Sequence, residues 1–154
     1  MKRIVIKGKL TQLPTCSEVM PTITAYVELP EKEIAGPVEF IIDTGSSQTV
    51  LLDRDVIRLG INVKKLKKAA KSIGIGGEAE TFQLGKAKLY FKTENGSNYT
   101  IEKEMYAIRH SKLRGEAARR IISLPSILGM DFIKEFKLII NSRDGEVLLI
   151  KEEN

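Results

Sequence analysis

Apolar and polar positions alternate over short stretches, or β-branched residues run together, along most of the chain, and both patterns predict strands. Arg3 to Leu10 and Thr22 to Leu29 read as extended segments, and Val38 to Ile42 leads out of an apolar run onto Asp43. Thr49 to Leu52 returns to apolar strand character. Lys86 to Lys92 and Tyr99 to Ile108 flank Asn95-Gly96, while Lys137 to Asn141 and Glu146 to Lys151 flank Asp144-Gly145. Both dipeptides suit the positive backbone angles of a tight hairpin turn. Helical signals are few. One covers Asp53 to Leu59 and stops at Gly60, and a second starts at Asp131 as N-cap with Phe132, Ile133 and Phe136 on one apolar face. Ser111 to Leu124 is polar and basic until Ile121 and reads as a long connection between strands. With no repeat, linker or change of composition, the expectation is one all-β domain over residues 1–154 with one or two short helices.

Composition narrows the class. At 154 residues the chain can bury a real core, and 42% hydrophobic with 29% charged residues is ordinary for a soluble globular protein. A lone cysteine, Cys16, excludes an internal disulfide framework and favours a reducing compartment, so the cytoplasm is expected and the sequons at Asn95 and Asn98 carry no meaning there. The apolar run after Met1-Lys2-Arg3 is too short for a signal-peptide core, and no later stretch is long enough to span a membrane. The net charge of +5 gathers in Lys64 to Lys71 and Arg109 to Arg120. No aromatic residue interleaves those basic residues and no nucleic-acid-binding signature accompanies them, so they read as solvated faces and nucleic acid is not the expected partner. The abundance of Lys, Glu and Ile is also in keeping with a heat-adapted source.

The candidate chemistry begins at Phe40-Ile41-Ile42-Asp43-Thr44-Gly45-Ser46-Ser47. An apolar strand carries a carboxylate out of the core, and Thr44-Gly45 turns the backbone beside it. A carboxylate in so dry a place has a pKa set by its neighbours. The same residues also fit a plain strand-to-turn junction with local Asp hydrogen bonds. Two further segments follow: Ser72-Ile73-Gly74-Ile75-Gly76-Gly77-Glu78, rich in glycine, and Ile127-Leu128-Gly129-Met130-Asp131-Phe132-Ile133, an apolar strand, a glycine and a helix start. The glycines do not form a phosphate loop, because no Gly-Lys-Ser/Thr follows. His110, alone in a basic stretch, reads as a surface residue, Cys16 has no partner for nucleophilic or metal chemistry, and no metal or other cofactor is called for.

In their order along the chain these segments resemble the retropepsin-like aspartic proteases, the single-domain relatives of retroviral protease, over about Thr22 to Ile150. Asp43-Thr44-Gly45-Ser46 is similar to the family's catalytic triplet and the small residue after it. Leu59-Gly60-Ile61 is similar to the Leu-Gly that closes its short helix, Gly74, Ile75, Gly76 and Gly77 fall where its flap lies, and Ile127, Leu128 and Gly129 match the hydrophobic-hydrophobic-Gly segment behind the site. The resemblance implies a closed, mainly antiparallel β domain acting as a twofold homodimer on peptide or protein substrates. It implies Asp43 as the catalytic residue, Thr44 bracing the two loops across the axis, and the Gly45 carbonyl meeting substrate. Ser46 is expected to donate to the outer oxygen of Asp43. The chemistry agrees, since aspartic proteolysis needs two carboxylates sharing one proton, and this chain has one such triplet. Asp53 and Asp55 read as a helix start, Asp131 as an N-cap and Asp144 as a turn residue, so the second carboxylate must come from a second copy of the chain. Two other readings stay open: a peptide- or partner-binding module on the same fold, and a basic nucleic-acid-binding β protein.

Overall fold

Each expected strand is found, with bounds set by its neighbours in the sheets rather than by the local pattern alone. The structure, a computed structural model, describes residues 2–69, 79–111 and 114–154. In chain order the strands are β1 (Lys2–Lys7), β2 (Lys9–Gln12), β3 (Val19–Leu29), β4 (Ile34–Ile42), β5 (Val50–Leu51), β6 (Ala79–Lys92), β7 (Asn98–His110), β8 (Ser126–Leu128), β9 (Lys137–Asn141) and β10 (Glu146–Glu153). The helices are α1 (Asp53–Arg58), α2 (Gly115–Ser123) and α3 (Met130–Ile133).

Strands run in the order β2-β3-β4-β8-β5-β7-β6, and β6 pairs back onto β3 through Tyr26↔Tyr90, which closes the sheet on itself. Most neighbours are antiparallel. The exceptions are β4 with β8 and β5 with β7, both parallel, and both meet at the candidate site. Closure explains the alternation along β4 and β6: one side fills the interior with Val38, Phe40, Leu84, Leu89 and Phe91, and the other faces out. Phe132 of α3 plugs the end of this core, its ring 4.7 Å from that of Phe91.

A second sheet, in the order β1-β10-β9, covers the same core. The single strand expected over Arg3 to Leu10 divides at Gly8, whose N–H donates to the Val147 carbonyl (2.9 Å). The chain bends there, sending β1 into the terminal sheet and β2 onto β3. Lys2 lies opposite Glu153 and Lys7 opposite Leu148, so the two terminal strands pair within one chain. Strand β9 is left as an edge. Its Ile140 sits beside buried Val147, on the core-facing side of the sheet, yet is 42% exposed because no strand lies beyond it. Near the same sheet Lys151 hydrogen-bonds the Tyr99 hydroxyl (3.2 Å), which raises the pKa of its ammonium group.

Two helical expectations need correction. Ser111 to Leu124 is more than a connection, since it contains α2, a nine-residue helix with no buried residue. Its two large apolar residues, Ile121 and Ile122, come only in the last turn, so the stretch before them read as a polar connection. The second expected helix is N-capped by Gly129 rather than Asp131, whose carboxylate is engaged elsewhere. No described helix is long and apolar enough to cross a membrane.

Candidate active site

Strand β4 ends at Ile42, and Asp43 follows half-buried, its N–H donating to the Leu128 carbonyl (3.0 Å). The parallel pairing of β4 with β8, through Phe40↔Ser126 to Ile42↔Leu128, thus ends on the backbone of the candidate carboxylate itself. Thr44 and Gly45 are exposed. The Gly45 N–H donates to Asp43 Oδ1 (2.8 Å), and a Cβ on Gly45 would stand 3.2 Å from that oxygen. A backbone donor therefore aims one carboxylate oxygen, and a side chain on residue 45 would crowd it. Ser46 differs from expectation: its Oγ donates to the Gln48 carbonyl (2.8 Å) and not to Asp43. The tight turn through Ser47 and Gln48 brings that carbonyl within reach and fixes the hydroxyl within the loop.

The loop after Asp43 lies across the segment that follows β8. Met130 N–H donates to Ser46 O (2.7 Å) and Asp131 N–H to Ser47 O (3.2 Å). Buried Thr49 donates its hydroxyl to Asp131 Oδ1 (2.7 Å) and accepts from the Gly129 N–H (3.1 Å). At the crossing the chains nearly touch: a Cβ on Gly129 would meet Gln48 O at 2.5 Å and Gln48 C at 2.6 Å. Only glycine fits there. Ile127, Leu128 and Gly129 thus stand directly behind Asp43, whereas Gly74, Ile75, Gly76 and Gly77 lie outside the described residues.

A family model described as "Aspartyl protease" matches residues 32–132. The chain belongs to the aspartyl protease family. The chain is similar in structure to a retropepsin-like aspartic protease from Rickettsia conorii, at 20% identity and a TM-score of 0.53, over 97% of this chain and 91% of that one. It also matches the EIAV protease complexed with the inhibitor HBY-793, at 20% identity and a TM-score of 0.46, over 85% of this chain and all of that one. The fold is retropepsin-like. No curated protein matches the chain in sequence.

Two buried polar networks in this member of the aspartyl protease family were not expected from its sequence. Asp55 is fully buried and receives Ser126 Oγ (2.6 Å) and the Arg58 guanidinium (3.0 Å), while Ser126 Oγ accepts the Leu52 N–H (3.0 Å). Arg58 also donates to the Pro37 carbonyl, so one carboxylate ties α1 to β8 and β4 behind the loop. Asp53 is equally buried and accepts the His110 N–H (2.7 Å) and the Arg109 guanidinium (2.8 Å), with His110 Nδ1 at 2.7 Å. His110 is therefore an interior residue, contrary to expectation, and Arg109 is no part of a free basic face. In β7 the residues facing the main core are Met105 and Ala107, and His110 lies with Ile108 on the opposite face, so alternation alone did not mark it as interior. Lys64, Lys65, Lys67 and Lys68 are exposed as expected, with Lys68 paired to Glu80 (3.0 Å).

Beside the carboxylate is a small apolar cluster separate from the main core. Val50, Leu52 and Ile108 are buried in it, and the partly buried Tyr106, Leu124 and Ile127 pack against it. Ile127 alternates with core-facing Leu128, so it points to the opposite side of β8. Among the described residues no group of His, Cys, Asp or Glu is placed to hold a metal ion.

Proposed function

We propose that this protein is an aspartic endopeptidase in which two copies of the chain each contribute Asp43. What carries the reading is Asp43 itself: a half-buried carboxylate at the end of β4, braced by Leu128 and Gly45, in a member of the aspartyl protease family. The ionised Asp43 of one copy takes a proton from a water held between the pair. The protonated partner donates to the scissile carbonyl, and the proton later passes to the leaving amine. Thr44, exposed at the loop tip, braces the opposite loop across the twofold axis, and the Gly45 carbonyl meets substrate. The partly buried side chain of Ile127 is the apolar surface offered to substrate next to the scissile bond. The lone Cys16 supports a cytoplasmic setting.

The dimer has a physical candidate for its seam. An edge strand bearing an exposed apolar residue on its core-facing side is what proteins normally cover. Antiparallel pairing of β9 with β9 of a second copy covers Ile140 and joins two three-stranded sheets into one. Light scattering is expected to give a mass near twice 17.2 kDa for the unaltered chain. Ile140→Lys, an inward-pointing charge at that edge, is expected to halve the mass and remove activity without unfolding the chain. A dimer that survives Ile140→Lys places the seam elsewhere.

The glycine-rich segment of Gly74, Ile75, Gly76 and Gly77 is proposed as the flap that closes over substrate. Gly76→Val, which disfavours positive backbone angles, is expected to raise KM and lower kcat while the unfolding temperature holds. Normal peptide cleavage by that variant removes the segment from the site.

A further inference from the structure

The outer face of the barrel carries a feature that peptide hydrolysis does not use. Along β3, Tyr26 is level with Pro37 on one neighbouring strand and Tyr90 on the other, forming a row across the sheet. Tyr26 is 46% exposed, and its ring meets that of Tyr90 edge-on at a centroid distance of 6.4 Å. These residues floor a groove of about 540 Å³ that also includes Glu28, Lys92 and Asn98. An outward sheet face normally shows polar side chains to water. Two tyrosines and a proline at the bottom of a groove are a surface suited to apolar rings.

Three observations select the occupant. First, β3 is hydrogen-bonded on both sides at Tyr26, so no strand edge is open here and a ligand cannot bind by extending the sheet. Second, among the described residues neither phenol hydroxyl has a hydrogen-bond partner within the chain, and the Asn98 amide lies beside them. These groups can donate to backbone carbonyls that a polyproline II segment leaves unpaired. Third, Lys92 stands two residues beyond Tyr90 and Glu28 two residues beyond Tyr26 on antiparallel strands, hence on opposite sides of the row, at the two ends of a line that crosses the rings along the strands. Neither takes part in an ion pair among the described residues, unlike neighbouring Lys88, which faces Glu102. The two ends are about 13 Å apart along the strands, which a polyproline II segment covers in about four residues at about 3.1 Å each.

We infer that this groove is a second peptide-binding site, for a proline-rich extended segment with an acidic residue at the Lys92 end and a basic one about four positions away at the Glu28 end. Proline rings lie against Tyr26, Tyr90 and Pro37, and the two charges fix the direction of the segment. Such a site holds a flanking stretch of a protein apart from the bond that is cut.

The test uses full-length Asp43→Asn protein, so that nothing is hydrolysed, and the peptide acetyl-Asp-Pro-Pro-Pro-Lys-amide. In ¹H–¹⁵N spectra the peptide is expected to shift Tyr26, Tyr90, Lys92 and Asn98 and to leave Gly45 unmoved. Replacing the three prolines by glycine, or introducing Tyr26→Ala, is expected to weaken binding about tenfold. Lys92→Glu keeps both rings and is expected to reverse the preference, favouring the peptide with lysine at both ends. No shift in the groove at millimolar peptide overturns the inference. So does a response centred on the Asp43 loop, equal binding of the glycine peptide, or a Lys92→Glu protein with unchanged preference. Because the readout is binding, its outcome is independent of whether the chain cleaves peptides.

Discussion

Asp43→Asn is expected to abolish cleavage of a mixed peptide library while the protein stays folded and dimeric. The substitution keeps the size of the side chain and an oxygen to accept from the Gly45 N–H. It removes the charge and the capacity to carry a proton at both halves of the site at once. Acid-base groups of this kind contribute about 10²–10⁴-fold each, so residual turnover is expected to fall below detection. Stability should hold or rise slightly, because two carboxylates no longer face each other across the axis. Peptide binding should persist. The measurement is peptide turnover from acid to neutral pH, beside an unfolding curve and a solution mass. If Asp43→Asn and the unaltered chain bind peptide alike and neither cuts, the chain is a peptide-binding module on a protease fold.

The largest expected effect on stability belongs to Gly129. Adding one methyl group there drives a Cβ into the Gln48 backbone at 2.5–2.6 Å, and no flexible side chain is present to yield. The loop carrying Asp43 and the start of α3 must separate, which strains the bonds from Met130 to Ser46 and from Gly129 to Thr49. Overpacking of this type costs about 3 kcal/mol, or about 10 °C in unfolding temperature for a chain of this size. Activity is expected to fall further than stability alone explains, since the same movement tilts the Asp43 carboxylate. A Gly129→Ala protein that melts and cleaves like the unaltered chain contradicts the close crossing.

Much of this arrangement could be read from the residues, and the parts that could not share a cause. Strands β3, β4, β6 and β7 announce themselves because each has one face in the core, and alternation is a local signal. Asp43-Thr44-Gly45 and Ile127-Leu128-Gly129 each fit an ordinary strand-to-turn junction, and they stand out only through their order along the chain. Gly8 gave no such warning: whether a strand continues or changes sheets depends on Val147, which is distant in sequence. The burial of Asp53, Asp55 and His110 was equally hidden. Each is polar where the local pattern is ambiguous, and each is acceptable in the interior only through partners such as Arg109 and Ser126 from distant strands and Arg58 from the end of the same helix as Asp55. Ser46 shows the same limit at close range, since its donor could reach either Asp43 or the Gln48 carbonyl, and loop curvature decided between them.

The pairing of Lys2 with Glu153 has a consequence for the order of events during synthesis. Strand β1 is made well before its partner β10, so the terminal sheet cannot close until the elements between them have been made. Contacts so far apart in sequence form slowly, after the local hairpins of the barrel. The β9 edge becomes a finished surface only once β10 is in place beside it. The loop around Asp43 waits almost as long, because its backbone partners Leu128, Met130 and Asp131 precede β9 by only a few residues. Both the setting of the carboxylate and the β9 edge are therefore completed by segments that follow β7 in the chain.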